Sequence, residues 1–139
     1  PTIRALPGPE YHEFSAAAQA ALWSQPWTVS SNSNRMGYRL QGPELAREHG
    51  GELLSHGVLP GVVQVPPNGQ PIVLLADAQT TGGYPRIACV IEADLWKLAQ
   101  ARPGSELQFL ACDAATARAA LRQQQAELKR LDWSMQYGH

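Results

Sequence analysis

The sequence predicts a mostly β-sheet protein: a mostly antiparallel β-barrel or sandwich with helices beside it. Short apolar runs are separated by turns rich in glycine and proline, of which the chain has 12 and 11 among 139 residues. Two of these runs flank an Asn68-Gly69 pair, a strong hairpin signal. Helical patterns lie mainly near the two ends of the chain, outside this β-rich middle.

The first third of the chain is predicted to alternate between strand and helix. Thr2 to Leu6 is a short strand that ends at a Pro-Gly-Pro sequence. A helix from about Glu10 to Trp23 is expected, because its start is acidic and follows a proline, and its apolar residues recur at helical spacing. Trp27 to Ser30 is predicted as a short strand. Arg35 to Leu40 alternates polar and apolar residues with a period of two, which predicts a half-buried strand.

The middle of the chain carries the clearest β pattern. A candidate strand lies near Glu52 to Ser55. Val62 to Val65 and Ile72 to Ala76 flank the Asn-Gly turn and predict a hairpin. Arg86 to Ile91 is apolar on both alternating faces, as expected for a strand buried on both sides or lining a closed barrel.

The last third is predicted as helix, strand and helix. Ala93 to Gln100 is a short helix, and Leu107 to Cys112 is the last strand. Asp113 suits the N-cap of a long amphipathic helix that is expected to dock on the sheet, with its charges in solvent. The apolar residues of this helix are Ala117, Leu121, Leu128 and Leu131.

Composition excludes several classes of function. The length suits one domain with a real core. A net charge of −1, from 11 basic and 12 acidic residues, gives no footprint for a nucleic acid or an anionic membrane. The chain lacks the run of about 18 apolar residues that a membrane helix needs, so a cytoplasmic protein is expected. Cys89 and Cys112 have no neighbouring ligand residues and are predicted to be buried free thiols, and the scattered histidines predict no metal site.

The first chemically suggestive segment is residues 33–40. On a strand, Arg35 and Arg39 would lie on the same face about 13 Å apart. Two guanidinium groups there suit the recognition of a carboxylate or phosphate, and Gly37 between them leaves room for a ligand. The alternative is that both arginines are ordinary solvent-facing residues. We predict that Arg35 and Arg39 bind substrate.

The second such segment, residues 77–85, follows the most apolar strand. Asp77 would end that strand, and the loop after it offers an amide, hydroxyls, a phenol and two glycines. It is not a Walker A loop, because no Gly-Lys-Ser/Thr follows. The alternative is a tight connection that needs positive φ at its glycines. Asp77 and Tyr84 are the predicted catalytic residues. The predicted substrate-binding residues here and in the hairpin are Gln64, Gln79, Thr80, Thr81, Gly82 and Gly83.

Several long motifs resemble those of one known family. They are Asn34 to Pro43, Ser55, Gly57, Pro60-Gly61, Gln64 to Pro66, Asn68 to Ile72, Asp77, Gln79 to Pro85, and Ala99-Gln100. From Ile3 to about Leu131, the chain resembles the KipA, or allophanate hydrolase subunit 2, family. That family includes the C subunit of 5-oxoprolinase and is similar to one half of the carboxyltransferase domain of urea carboxylase.

The resemblance implies a cyclophilin-like closed β-barrel with flanking α-helices, with residues 1–139 forming a single domain that is the C-terminal half of a longer subunit. It implies a partner that is KipI-like, of the same type as the B subunit of 5-oxoprolinase. The A subunit of such a complex is a possible further partner, and a small amide is the implied substrate. This chain alone is expected to bind no cofactor, with ATP or biotin acting at the level of the complex.

Two classes of function stay open at this point. The first is a non-autonomous part of an ATP-dependent amide-processing complex, either a 5-oxoprolinase or a biotin-dependent urea carboxylase or allophanate hydrolase, in which the chain forms one wall of the substrate cleft. The second is a regulatory protein-binding module of the KipA type, an antagonist of a kinase inhibitor. A peptidyl-prolyl isomerase is a weaker third option, because a shared fold does not carry function.

Overall fold

The computed structural model describes residues 1–53, 56–57, 59–75, 80–81 and 83–137. The strands are β1 (Thr2–Pro7), β2 (Trp27–Val29), β3 (Gly37–Gln41), β4 (His56–Gly57), β5 (Val62–Gln64), β6 (Ile72–Leu74), β7 (Thr80–Thr81), β8 (Arg86–Val90) and β9 (Glu106–Ala111). The helices are α1 (Ala16–Ser24), α2 (Leu95–Leu98) and α3 (Ala114–Tyr137), with 3-10 turns at Tyr11–Glu13 and Glu92–Asp94.

Seven strands close into a barrel in the order β1-β8-β5-β6-β3-β2-β9. β9 pairs with β1 in parallel and so completes the ring, whereas the other neighbouring pairs are antiparallel. The barrel prediction is therefore confirmed, and the sandwich alternative is wrong. β4 and β7 form a separate two-stranded ribbon.

The barrel interior is filled by large apolar side chains. Trp27 is the largest of them, and its indole Nε1 donates a hydrogen bond to the carbonyl oxygen of Leu22 at 3.3 Å, which links β2 to α1. Gly42 packs against the Trp27 ring so closely that a Cβ atom would overlap it. The other fully buried large residues include Ile3, Leu40, Leu45, Ile87, Leu98, Leu107 and Phe109.

The first helix is shorter than the sequence predicts. Phe14 is extended (φ −86°, ψ 154°) and forms an isolated antiparallel bridge with Arg47, so the helical pattern breaks there. α1 begins only after Ser15, whose Oγ accepts a hydrogen bond from the Ala18 N–H at 3.0 Å. Phe14 is apolar because it packs in the core. Its spacing from the apolar residues of α1 happens to match a helical repeat, and this led to the longer predicted helix.

β3 begins at Gly37, two residues later than predicted. Asn34 and Gly37 exchange backbone hydrogen bonds, and the Asn34 side-chain oxygen accepts the Met36 N–H at 2.8 Å. This local bond holds a turn, since asparagine readily bonds the backbone two residues ahead. Arg35 therefore lies in a turn rather than on a strand, and the argument that Arg35 and Arg39 share a strand face is wrong.

The remaining predicted elements agree with the structure apart from their ends. The hairpin is confirmed, with β5 and β6 paired around the turn. Of the candidate strand near Glu52 to Ser55, Glu52 and Leu53 are not in a strand, and residues 54 and 55 lie outside the described part. Cys89 and Cys112 are free and only half-buried, and burial raises the pKa of each thiol.

The segment between β6 and β8 is a crossover. β6 and β8 both pair antiparallel with β5, so they run parallel to each other. The end of β6 and the start of β8 therefore lie at opposite ends of β5. The Leu75 N–H donates to the Met36 carbonyl at one end, and the Pro85 carbonyl accepts from Val65 at the other. Leu75 and Pro85 are thus not at the same strand end.

The last helix docks only through its first half, on the 3-10 turn at Glu92–Asp94. Asp113 caps it by accepting the Thr116 N–H at 2.7 Å, as predicted, and the Gln124 side chain donates to the Ala93 carbonyl at 2.9 Å. Beyond this point Leu128 and Leu131 are exposed, so the prediction that they dock on the sheet is wrong. In the described part of the chain, no helix has the length and apolar character needed to cross a membrane.

Candidate functional site

A cavity of about 740 Å³ opens beside the barrel where β5 ends and β8 begins. It is lined by Phe14, Glu44 to Arg47, Glu52, Leu53, Val65 to Pro67, and Gly83 to Pro85. Its wall thus includes the end of the second polar segment singled out in the sequence. Mixed apolar and charged lining of this kind is typical of small-molecule sites.

The segment around residues 44–48 is fixed to its surroundings by backbone hydrogen bonds. Leu45 donates to the Gly69 carbonyl at 2.9 Å, which ties the segment to the hairpin turn. The Ala46 carbonyl accepts from Ser15 at 2.9 Å, and Glu48 donates to the Glu13 carbonyl at 2.8 Å. One wall of the cavity is therefore held between the hairpin and the start of α1.

A partly buried ion pair anchors the opposite wall. Glu10, 5% exposed, accepts hydrogen bonds from the Arg86 guanidinium through both carboxylate oxygens, at 2.7 and 2.9 Å, and from the Arg86 backbone N–H at 3.0 Å. The hydrogen bonds to Glu10 outweigh burial and raise the pKa of Arg86. Arg86 directly follows Tyr84 and Pro85 in the chain. The Glu10–Arg86 ion pair therefore fixes the positions of Tyr84 and Pro85 in the cavity wall.

Gly83 is required for a steric reason. A Cβ atom at this position would overlap the backbone carbonyl group of Leu53. Gly82, the other glycine of this loop, lies outside the described residues. The two chain segments that form this side of the cavity can approach each other only because position 83 has no side chain.

The charged groups of the cavity have distinct roles. The Arg47 Nε donates to Glu13 at 2.8 Å, and its Nη2 donates to the Gly51 carbonyl at 2.8 Å, so this guanidinium holds the 47–51 loop. Glu44 and Glu52 are exposed carboxylates. They can accept hydrogen bonds from an amide or amine N–H, whereas the Tyr84 hydroxyl, on a side chain that is 37% exposed, can donate to a carbonyl oxygen. Among the described residues, no group of three or more histidine, cysteine or acidic residues is placed to hold a metal ion.

The structure brings together only some of the predicted site residues. Tyr84 and Gly83 line the cavity, and Gln64 is buried in β5 next to the lining residue Val65. Thr80 and Thr81 form β7, where Thr81 lies opposite His56 and Thr80 opposite Gly57. Asp77, Gln79 and Gly82 lie outside the described residues.

The two predicted arginines lie away from this cavity. Arg39 is exposed on β3, where it pairs with Ile72, and Arg35 is exposed in the turn before that strand. This turn contacts Leu75, at the opposite end of the crossover from Pro85. Four residues of extended chain, from Gly61 to Val65, separate the two ends, a distance of about 13 Å.

Sequence reasoning missed the acidic side of the cavity. Glu44, Arg47 and Glu52 fall in an irregular segment whose residues show neither helical nor strand periodicity. Glu10 was predicted to favour a helix N-terminus, but it pairs with Arg86 across 76 positions. These residues reach the cavity or its ion pair only through contacts with residues distant in sequence. The local sequence pattern therefore could not predict their positions.

Comparison with known proteins assigns the fold to a family. Residues 1–111 match the family described as carboxyltransferase domain, subdomain A and B. The chain belongs to this carboxyltransferase family. The match includes the whole barrel and every described residue that lines the cavity. α3 lies beyond the matched residues.

Relatives of this carboxyltransferase domain support the resemblance seen in the sequence. The chain is 62% identical to the C subunit of 5-oxoprolinase from Escherichia coli over 133 residues, which are 96% of this chain and 43% of the relative. It is 34% identical to urea amidolyase of Saccharomyces cerevisiae over 127 residues, covering 86% of this chain and 7% of that protein. The chain therefore spans less than half the length of these relatives.

A solved structure shows the same carboxyltransferase fold. The urea amidolyase of K. lactis superimposes with a TM-score of 0.77 at 28% identity, over 84% of this chain and 8% of that chain. The barrel is thus one module within a much larger protein in that relative.

Proposed function

We propose that this chain is a non-autonomous part of an ATP-dependent complex that cleaves a small cyclic amide, and that the cavity beside β5 and β8 forms one wall of the substrate cleft. The observation that carries this proposal is the composition of the cavity, which is lined by Tyr84 and Gly83 together with Glu44 and Glu52. The similarity to a 5-oxoprolinase supports 5-oxoproline over urea, since identity is 62% to that protein and 34% to urea amidolyase.

The cavity offers complementary groups for both sides of an amide. The Tyr84 hydroxyl would donate a hydrogen bond to the carbonyl oxygen and stabilise the negative charge that develops there during cleavage. Glu44 or Glu52 would accept the amide N–H. Thr80, Thr81 and the backbone of the same segment would add further donors. Gln64, buried in the neighbouring strand, would hold this wall in place.

The turn at the other end of the crossover would form a second site. Arg35 would bind an anionic group there, such as a carboxylate or a phosphate of ATP. Arg39 lies opposite Ile72, farther along β3, and would extend this site along the strand. Asp77 lies outside the described residues, and its catalytic role stays a prediction. About 13 Å of extended chain separates this end from Tyr84, which is more than a small cyclic amide spans. We therefore assign the amide to the cavity end.

The complex would supply what this chain lacks. We propose that the chain corresponds to the C-terminal half of a 5-oxoprolinase C subunit, because it spans 43% of the length of the E. coli relative. The partners would be a B subunit of the KipI type and an A subunit that uses ATP, in the cytoplasm. A biotin carrier would take their place if the reaction were carboxyl transfer.

Reconstitution tests this function. The purified chain is assayed alone and after addition to the A and B subunits and the remaining part of the C subunit, with ATP and 5-oxoproline, and glutamate and ADP are measured. We expect no turnover by the isolated chain and glutamate formation that depends on its addition. Turnover by the chain alone would contradict the non-autonomous role. Activity only with urea, bicarbonate and a biotin carrier would overturn the choice of substrate.

A further inference from the structure

One face of α3 continues past the barrel without a covering element. The half-buried residues of its first half include Leu121 and Gln124, and Gln124 donates a hydrogen bond to the Ala93 carbonyl of the 3-10 turn before α2. Leu128, Leu131 and Met135 continue the same row, at alternating spacings of four, three and four residues. Their exposed fractions are 60%, 61% and 83%.

This row, from Leu121 to Met135, has the pattern of a helix-pairing seam. Single exposed apolar residues are common and need no explanation, but three in line on one helix face form a patch of the kind that marks an interaction site. Leu121, Leu128 and Met135 are seven residues apart and occupy position a of a heptad repeat. Leu131 occupies position d, so the seam spans two heptads.

The charges beside the seam are all acidic or neutral. The positions that flank a seam in a helix pair are occupied here by Gln125 and Asp132 on one side and by Glu127 and Ser134 on the other. All four are exposed. The basic residues between Leu121 and Met135 lie farther round the helix circumference, at Arg122, Lys129 and Arg130.

These flanks argue against a second copy of this chain as the occupant. In a parallel pair, Glu127 of one helix would face Asp132 of the other, and in an antiparallel pair each carboxylate would face its own counterpart. Like charges at such positions are destabilising and select against the pairing. A helix with basic flanks would instead gain attraction on both sides of the seam.

We propose that the seam from Leu121 to Met135 binds an amphipathic helix of a partner protein, whose own apolar row is flanked by lysine or arginine. The helix lies along the second half of α3, where the barrel provides no cover. This proposal rests on the seam and its charges and does not depend on the reaction proposed above.

Two synthetic helical peptides of the same 24-residue length as α3 test the proposal. Both carry leucine at the seam positions, and one has lysine and the other glutamate at the flanking positions. Binding to the fluorescently labelled full chain is measured by anisotropy. We expect the lysine peptide to bind at least about 10-fold more tightly than the glutamate peptide, with the preference weakening as salt is raised.

Variants separate the apolar and charged contributions. Leu128→Gln with Leu131→Gln should weaken the lysine peptide at least about 10-fold, whereas Leu110→Gln, at a leucine 53% exposed on β9, should not. Glu127→Lys with Asp132→Lys should reverse the preference in favour of the glutamate peptide. Because these residues are exposed, thermal melts should stay close to the wild type.

The opposite results would overturn the proposal. Failure of both peptides to bind, equal affinity for both, or a preference that survives the charge reversal would each contradict it. Sedimentation that shows a wild-type dimer lost in the double glutamine variant would assign the seam to a second copy instead.

Discussion

Glu10 and Arg86 form a two-pronged ion pair that joins the segment before the first helix to the first residue of β8. The Glu10 side chain is 7% exposed and that of Arg86 is 30% exposed. The pair also satisfies the Arg86 backbone N–H at the point where the crossover rejoins the barrel. It therefore sets the position of Tyr84 and Pro85 without contacting the cavity itself.

Glu10→Gln should lower the free energy of unfolding by about 3 kcal/mol, because it leaves a partly buried guanidinium without its counter-charge. The melting temperature should fall by roughly 10 °C for a domain of this size. Urea unfolding and thermal melts measure both quantities. Glu106→Gln, at an exposed glutamate on β9, is the control and should change stability by less than about 0.5 kcal/mol. Equal effects of the two changes would show that the ion pair is unimportant.

Gly83→Ala should destabilise the fold by about 3 kcal/mol, since the new Cβ atom would overlap the Leu53 backbone, which cannot move aside as a flexible side chain can. Gly51→Ala is a matched control, because a Cβ atom at Gly51 would meet no other atom within 4 Å and its φ is not positive. That control should be neutral or slightly stabilising. Urea unfolding of both variants decides the matter, and a neutral Gly83→Ala would disprove the close approach.

The lowered pKa of Asp94 predicts that the free energy of unfolding decreases in acid. The side chain is almost fully buried; burial alone would raise its pKa, but hydrogen bonds from Arg4 and the charge of Lys97 outweigh this and lower it. A carboxyl group whose folded pKa is depressed stabilises the protein above its unfolded pKa of about 3.9, and this stability is lost as pH falls through the folded pKa. The advantage of the wild type over Asp94→Asn should therefore be full near neutral pH and shrink below about pH 4.

Urea unfolding at a series of pH values measures this difference. Arg4→Met removes the main group that lowers the pKa of Asp94, through hydrogen bonds at 2.7 to 3.0 Å, so it should remove much of the same pH-dependent advantage. A gap between wild type and Asp94→Asn that stays constant down to about pH 2 would mean that the pKa of Asp94 is not depressed.

The sequence was sufficient for features that depend on local patterns. The β5–β6 hairpin follows from its Asn-Gly turn and flanking apolar runs, and the start of α3 follows from the Asp113 cap. The end of the docked part of α3 was not predictable in this way, because Leu121 and Leu128 have the same periodicity whether or not the barrel extends beneath them. Periodicity identifies an apolar face but not what covers it.

The cavity was only half predictable for a related reason. Tyr84 and Gly83 stood out because polar and glycine residues cluster after a strongly apolar strand. The crossover between β6 and β8 could not be predicted from the sequence. It exists because both strands pair with β5 and so run parallel to each other. As a result, Leu75 and Pro85, only ten positions apart, lie at opposite ends of β5.

Tyr84→Phe tests which end of the crossover acts on the amide. It removes one hydroxyl from the cavity wall and leaves the ring in place, so the melting temperature should stay within a few degrees. Turnover of the reconstituted complex should fall about 10-fold or more if this hydroxyl stabilises the developing charge. Tyr38→Phe, at a half-buried tyrosine of β3 that packs against the core, is the control and should keep wild-type turnover.

The same assay is then applied to both ends of the crossover. Thr80→Ala and Thr81→Ala should also lower turnover, because they belong to the segment that reaches the cavity. Arg35→Ala should raise the KM for ATP while leaving kcat and the KM for 5-oxoproline nearly unchanged, since exposed guanidiniums bind charge and contribute little to stability. If Tyr84→Phe keeps full activity while Arg35→Ala lowers kcat, the reacting amide lies at the Arg35 end. The cavity beside β5 would then not bind the substrate.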